Sequence, residues 1–143
     1  MNPVFIDTSA IVALFDKSDK HHSQSGHMVQ MIKQNKVRLV LTDYIFDESL
    51  TTAMSNVGHS TAVMVGDFIL SSKIIEFVWL SDATKMKAWD FFKRHSDKGF
   101  SFTDCASFIF MKERKLTHYF AFDKHFNEAG FIDFSNQYAP LAK

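Results

Sequence analysis

The sequence holds a single cysteine, Cys105, so no disulfide can close within the chain. That suits a reducing compartment, and the cytoplasm is the expected location. Proline is almost as scarce: Pro3 and Pro140 stand one near each end. No stretch rich in Gly, Ser or Pro divides the chain, and no repeat or low-complexity tract interrupts it. One domain over residues 1–143 is expected. No apolar run approaches the roughly 18 residues of a membrane span. The N-terminus carries neither a basic start nor a cleavage-site pattern, so no signal peptide and no membrane role are expected. Excess charge of one sign is missing too, since 16 basic residues balance 16 acidic ones. Net charge therefore gives no nucleic-acid signal, and any basic patch must be local.

What is present is bulk. The 143 residues suffice to bury a core without disulfide or metal staples. Hydrophobic residues make up 46% of the chain, which excludes a disordered class, and 16 phenylalanines promise an aromatic core. Short apolar runs alternate with helical patterns. Val4-Phe5-Ile6, Arg38 to Leu41, Ile74 to Leu80 and Tyr119 to Phe122 read as strands, and Phe131 to Phe134 as a short fifth. Ser9 is expected to cap a helix from Ala10, and a second helix spans His21 to Gln34. Thr42 or Asp43 opens the next, with Phe46, Leu50, Ala53, Met54 and Val57 as its apolar stripe and Gly58 as its stop. Ser60 to Ser72 is helical. Ser81 caps a helix whose Met86, Trp89 and Phe92 are assigned to the core, and Thr103 caps the last, with Phe108 and Met111 inward. Strands that alternate with helices pair in parallel through right-handed crossovers, with helices on both faces. Sites in such α/β sheets form outside the carboxyl ends of the strands, near a topological switch point.

Acids stand where that rule points. Asp7 directly follows the first strand and Asp123 follows the run ending at Phe122. Asp104 lies at a helix start, and Glu48 lies about one turn into the helix after the second strand. Each has an ordinary structural reading as a cap, a turn former or a solvated residue. Together they point elsewhere, because clustered carboxylates repel unless a cation neutralises them. Oxygen ligands without Cys or an obligatory His suit Mg²⁺ or Mn²⁺ rather than Zn²⁺. Asp43 and Asp47 compete with Glu48, lying on one helix face roughly 100° away from it.

At these residues the sequence resembles PIN-domain nucleases. Val4-Phe5-Ile6-Asp7-Thr8-Ser9-Ala10 looks like their opening motif, and Glu48 within Tyr44 to Leu50 looks like their second acid. Ser101-Phe102-Thr103-Asp104-Cys105-Ala106-Ser107 is similar to the third motif. Phe122-Asp123-Lys124-His125-Phe126, with Ala129-Gly130-Phe131 after it, is similar to the fourth. Four motifs in order cover nearly the whole chain, in the compact prokaryotic style of VapC toxins. The resemblance implies a three-layer α/β/α sandwich with a mainly parallel sheet and Mg²⁺- or Mn²⁺-dependent cleavage of RNA. It also implies a homodimer, and a small antitoxin partner if the chain is a toxin. Asp7, Asp104 and Asp123 are then the expected metal ligands. Glu48 is a further ligand or the group that orients the attacking water.

Other residues receive lesser roles. Ser9 and Thr103 flank the acids, as caps or as support reaching the metal through water. Arg94, Lys98 and Lys124 are candidate RNA contacts, as are Lys93, His95 and His125. His21 and His22 point about 100° apart on a helix, so they suit one metal poorly and read as a solvated helix start. Cys105 has no paired base and reads as a small buried thiol. A haloacid-dehalogenase-type phosphohydrolase needs a second Asp two positions after the first, where this chain has Ser9. A receiver-type signalling domain needs an acceptor Asp where Leu50 to Val57 has none. Three alternatives stay open: a toxin, a housekeeping RNA-processing nuclease, or an inactive PIN-like binding module.

Overall fold

The computed structural model describes residues 2–137, so Pro140 lies outside the described part. Among the described residues, β1 (Val4–Ile6) forms the centre of a five-stranded sheet. β2 (Leu39–Thr42) and β3 (Ile75–Val78) lie to one side of it, and β4 (His118–Phe120) and β5 (Ile132–Asp133) to the other. Every pairing is parallel, with Phe5 opposite Val40 on one side and Tyr119 on the other. Parallel neighbours need crossovers, and helices supply them: α1 (Thr8–Phe15), α2 (His22–Gln34), α3 (Asp43–Val57), α4 (His59–Ser71), α5 (Asp82–Arg94), α6 (Phe102–Glu113) and α7 (His125–Glu128). A 3₁₀ turn, Phe134–Gln137, follows β5. β1 and β2 are buried along their whole length, as continuous apolar strands between two helical layers must be.

The chain winds outward from β1 to β3, then returns to lay β4 on the far side of β1. The switch point is thus the gap between the carboxyl ends of β1 and β4. Aromatic bulk fixes that end of the sheet. Phe5, Phe108, Phe120 and Phe126 are each under 2% exposed. Phe108 meets Phe126 edge to face, with ring centroids 5.1 Å apart and planes at 88°, a favoured geometry for aromatic pairs.

Two helices face the core differently from the sequence expectation. In α3 the buried residues are Ile45, Ser49 and Ala53, whereas Met54 is 56% exposed. Of the expected stripe, Ala53 is buried and Phe46, Leu50 and Val57 are partly buried against the core, so Met54 alone departs from it. α4 packs closely beside this stripe, where a Cβ added at Gly66 would lie 3.3 Å from Leu50 Cδ2. In α5 the expected core residues Met86, Trp89 and Phe92 are 61%, 44% and 38% exposed. Phe91 is buried in their place, with Thr84 and Ala88. α5 carries aromatic residues on both faces, so its pattern leaves its phase open. Phe91 wins because Phe100 and Phe108 lie within ring contact of it, at 6.5 and 6.3 Å.

Candidate active site

β1 ends at Ile6, and Asp7 takes an extended backbone (φ −98°, ψ 163°) that turns the chain into α1. Its N–H still donates to the Phe120 carbonyl at 3.1 Å, one step beyond the strands. This bond pins Asp7 at the switch point. Its carboxylate accepts from the Ser9 N–H at 3.3 Å and from the Ser9 hydroxyl at 3.0 Å. Asp7 is therefore the cap of α1, and the expectation of a Ser9 cap is corrected: Ser9 is already helical. Ser9 Oγ also accepts from the Phe122 N–H at 2.9 Å. That bond draws Phe122 off the sheet ladder, so β4 stops at Phe120 rather than continuing to Phe122.

α6 begins with a capping box. The Asp104 N–H donates to Ser101 Oγ, and the Ser101 N–H donates to Asp104 Oδ2, each at 3.0 Å. Ser101 is the cap, and Thr103 is not, because it sits inside the first turn with its carbonyl accepting from the Ser107 hydroxyl. The spacing Ser101-x-x-Asp104 carries the box, and a cap at Thr103 would have put Ala106 in the acid's place. Asp123 lies past β4, with Oδ1 accepting from the His125 N–H at 2.7 Å. Glu48 projects from the second turn of α3, half-buried, and takes a hydrogen bond from the Thr8 hydroxyl. Thr8 in turn accepts from Ser49 at 3.3 Å. The rival acids look elsewhere. Asp43 accepts from the Leu80 N–H at 2.8 Å, and Asp47 is exposed.

The four acids feel one another. Asp7 is 3% exposed, and its pKa is pushed up to about 7, first by burial, then by the charges of Asp123 and Glu48. The Ser9 hydrogen bonds oppose that rise without cancelling it. Burial raises Asp104 as well, assisted by Asp123 and opposed by its Ser101 bonds and by His125. Glu48 is raised by burial and by Asp104, Asp123 and Asp47, against the Thr8 bond. Among the described residues, no lysine or arginine pairs with any of the four. Mutually repelling carboxylates, buried or half-buried and with no lysine or arginine beside them among the described residues, fit a divalent ion with oxygen ligands.

One close group was missed as a site component at the sequence level. His125 Nδ1 lies 3.0 Å from Asp104 Oδ2 and 3.7 Å from Asp123 Oδ1. Donor atoms of Asp104, Asp123 and His125 all fall within 4.8 Å of one another. From sequence His125 reads only as a phosphate contact, because a histidine two residues after an acid has many other fates.

Of the candidate RNA contacts, Lys124 is exposed beside Asp123, while Arg94 and Lys98 are exposed at the end of α5 and in the loop after it. A groove of about 310 Å³ opens beside the acids, lined by Ser9, Lys20, His21, Phe122 and Asp123 among others. His21 is half-buried rather than solvated, stacked on Phe122 with centroids 4.3 Å apart. His22 points away to the Ala13 carbonyl, so the two histidines share no ligand. Cys105 is fully buried, with its thiol pushed up to about 11 by burial and by Asp104, which suits an inert side chain.

Fold and acids together define a class, an α/β protein fitted to hold a cation at the switch point of a parallel sheet. Comparison with known proteins narrows it. The PIN domain family model matches residues 4–132. The 23S rRNA-specific endonuclease VapC20 of Mycobacterium tuberculosis is 28% identical over 131 residues, covering 91% of this chain and 96% of that protein. A VapC ribonuclease of Archaeoglobus fulgidus is 31% identical over 113 residues, covering 78% and 71% respectively. The crystal structure of M. tuberculosis VapC20, described as a sarcin–ricin loop cleaving toxin, superposes with a TM-score of 0.81. It has 25% identity and covers 91% of this chain and 97% of that one. The chain belongs to the PIN-domain family, in its VapC type.

Proposed function

We propose that this protein is a metal-dependent endoribonuclease, the toxin of a toxin–antitoxin pair. It hydrolyses RNA phosphodiester bonds with Asp7, Glu48, Asp104 and Asp123. The observation that carries this reading is four carboxylates gathered at the β1/β4 switch point with, among the described residues, no lysine or arginine paired to any of them. Asp7, Asp104 and Asp123 hold the ion, and Mg²⁺ or Mn²⁺ suits their hard oxygens. When bound, such an ion lowers the pKa of a water and stabilises charge on the phosphate. Glu48, steadied by Thr8, orients the attacking water. Ser9 ties Asp7 to the Phe122 backbone and so holds the β1 and β4 sides of the site in register. Lys124, Arg94 and Lys98 are placed to meet phosphates of a bound strand.

The names of the relatives make 23S rRNA and its sarcin–ricin loop the first substrates to try. Two exposed apolar faces support protein partners, a small antitoxin and a second copy. One is the groove lined by Met54, Val63 and Leu70 on α3 and α4, and the other is the face of α5 with exposed Trp89 and Phe92. Among the described residues, no helix is long and apolar enough to cross a membrane. We place the protein in the cytoplasm with its substrate.

The test is cleavage of purified ribosomal RNA with Mg²⁺ or Mn²⁺, with excess chelator, and with chelator followed by added metal. Cleavage should stop with chelator and return with metal. Cleavage that persists in chelator would overturn the reading.

A further inference from the structure

The roles assigned above leave the imidazole of His125 unused, although it faces two acids of the site. Its Nδ1 is shielded from solvent and has no hydrogen-bond partner among the described residues. The carboxylates beside it do not supply one. Asp104 Oδ2 is near enough at 3.0 Å, but a hydrogen on Nδ1 does not align with it. Asp123 Oδ1 is farther, at 3.7 Å, and already accepts the His125 N–H. A buried ring nitrogen directed at carboxylates without an aligned bond is costly unless something else occupies the space between them.

We propose that His125 Nδ1 is itself a ligand of the metal, beside Asp104 and Asp123. The site is then a mixed nitrogen–oxygen one that favours first-row transition ions such as Mn²⁺ over Mg²⁺. This rests on the metal-dependent reading of the same site. Spacing supports it: ligands about 2.1 Å from an octahedral ion and at right angles lie about 3 Å apart. The separations of 3.0 and 3.7 Å need little closure to reach that arrangement. The ring is also held in advance. Phe100 packs against it edge to face, with centroids 5.5 Å apart and planes at 79°, and its backbone N–H is tied to Asp123. A ligand fixed before the ion arrives binds it at low ordering cost. Imidazole is a softer donor than carboxylate, and Mg²⁺ binds by oxygen and keeps its waters.

The experiment uses Mn²⁺ alone as probe, with pulsed electron paramagnetic resonance to detect a nitrogen nucleus in its first shell. Wild-type protein should bind Mn²⁺ with a nitrogen modulation that shifts when histidine is labelled with ¹⁵N. His125→Asn should lose the modulation and bind Mn²⁺ at least about tenfold more weakly, while Mg²⁺ affinity changes by less than about threefold. Bound Mn²⁺ without nitrogen modulation in the wild type overturns the inference and leaves the proposed function standing. Failure of the wild type to bind Mn²⁺ or Mg²⁺ at all overturns both. Modulation retained in His125→Asn, with His21→Asn as control, assigns the nitrogen to another histidine and also overturns the inference. The labelled wild type decides the matter even if His125→Asn does not fold.

Discussion

Two pairs of helices in this protein begin in chemically different ways. α3 and α5 are capped by the neutral hydroxyls of Thr42 and Ser81, which accept from the N–H groups of Ile45 and Thr84. α1 and α6 enlist carboxylates, Asp7 as the cap itself and Asp104 in its box with Ser101. A neutral cap satisfies a backbone donor and does no more. An acid cap also fixes a carboxylate against the positive end of a helix, where its position is set by backbone geometry. The difference teaches how the site is built: the bonds that start α1 and α6 are the bonds that aim two of its acids. Burial, with repulsion added to it, is the cost, visible in the raised pKa values of Asp7 and Asp104.

The sharpest break in this comparison is Asp7→Asn. Asparagine keeps an oxygen for the Ser9 bonds but loses the charge. RNA cleavage should fall at least about 100-fold, beyond the loss usual for residues that only support a metal ligand. Cleavage within a factor of about three of wild type would separate capping from catalysis altogether.

pH should distinguish the acid caps next. Folded Asp7 holds its proton up to about pH 7, against an ordinary value of 3.8 for a free side chain. Between those values the folded state binds more protons than the unfolded one. Stability from this group is therefore fully present below its unfolded pKa and is lost as pH rises through about 7, by at most about 4 kcal/mol. Metal-free wild type should melt higher at pH 5.5 than at pH 8, and Asp7→Asn should show a smaller difference. Added metal should restore stability at pH 8, where the carboxylates are ionised. Equal pH dependence in the two metal-free proteins would remove Asp7 as its source.

Smaller effects follow at the caps proper. Ser101→Ala should cost about 1–2 kcal/mol of stability in denaturant titrations, and should also slow cleavage because Asp104 loses its reciprocal partner. Ser81→Ala should cost about 1 kcal/mol and leave cleavage unchanged. Within α3, Glu48→Gln should impair cleavage and Asp47→Asn should not, measured side by side. The reverse outcome would move the fourth acid by one residue.

Much of the architecture was legible because parallel strands are continuous apolar runs. Val4 to Ile6 and Leu39 to Leu41 declare themselves, and with strand ends comes the region of Asp7. The phase of α3 was legible except at Met54, but that of α5 was not. Trp89 fits an apolar stripe as well as Phe91 does, and only the neighbour Phe100 decides. The cap was readable at Ser81, left open between Thr42 and Asp43, and displaced at Ser9 and Thr103. There two hydroxyls or acids compete within three residues, and backbone angles choose between them. His125 joined the acids only through tertiary closure, since its ring is placed by Phe100 and by the turn at Asp123.

The most direct measurement is cleavage of ribosomal RNA by Asp104→Asn beside its thermal melting without metal, each against identically purified wild type. Asparagine can keep the box with Ser101 while removing one of four repelling charges. We predict cleavage reduced at least about 100-fold, with a melting temperature equal to or slightly above that of the wild type. Wild-type cleavage by Asp104→Asn, or lost cleavage accompanied by a clearly lower melting temperature, would contradict the claim that this helix-starting acid serves the chemistry.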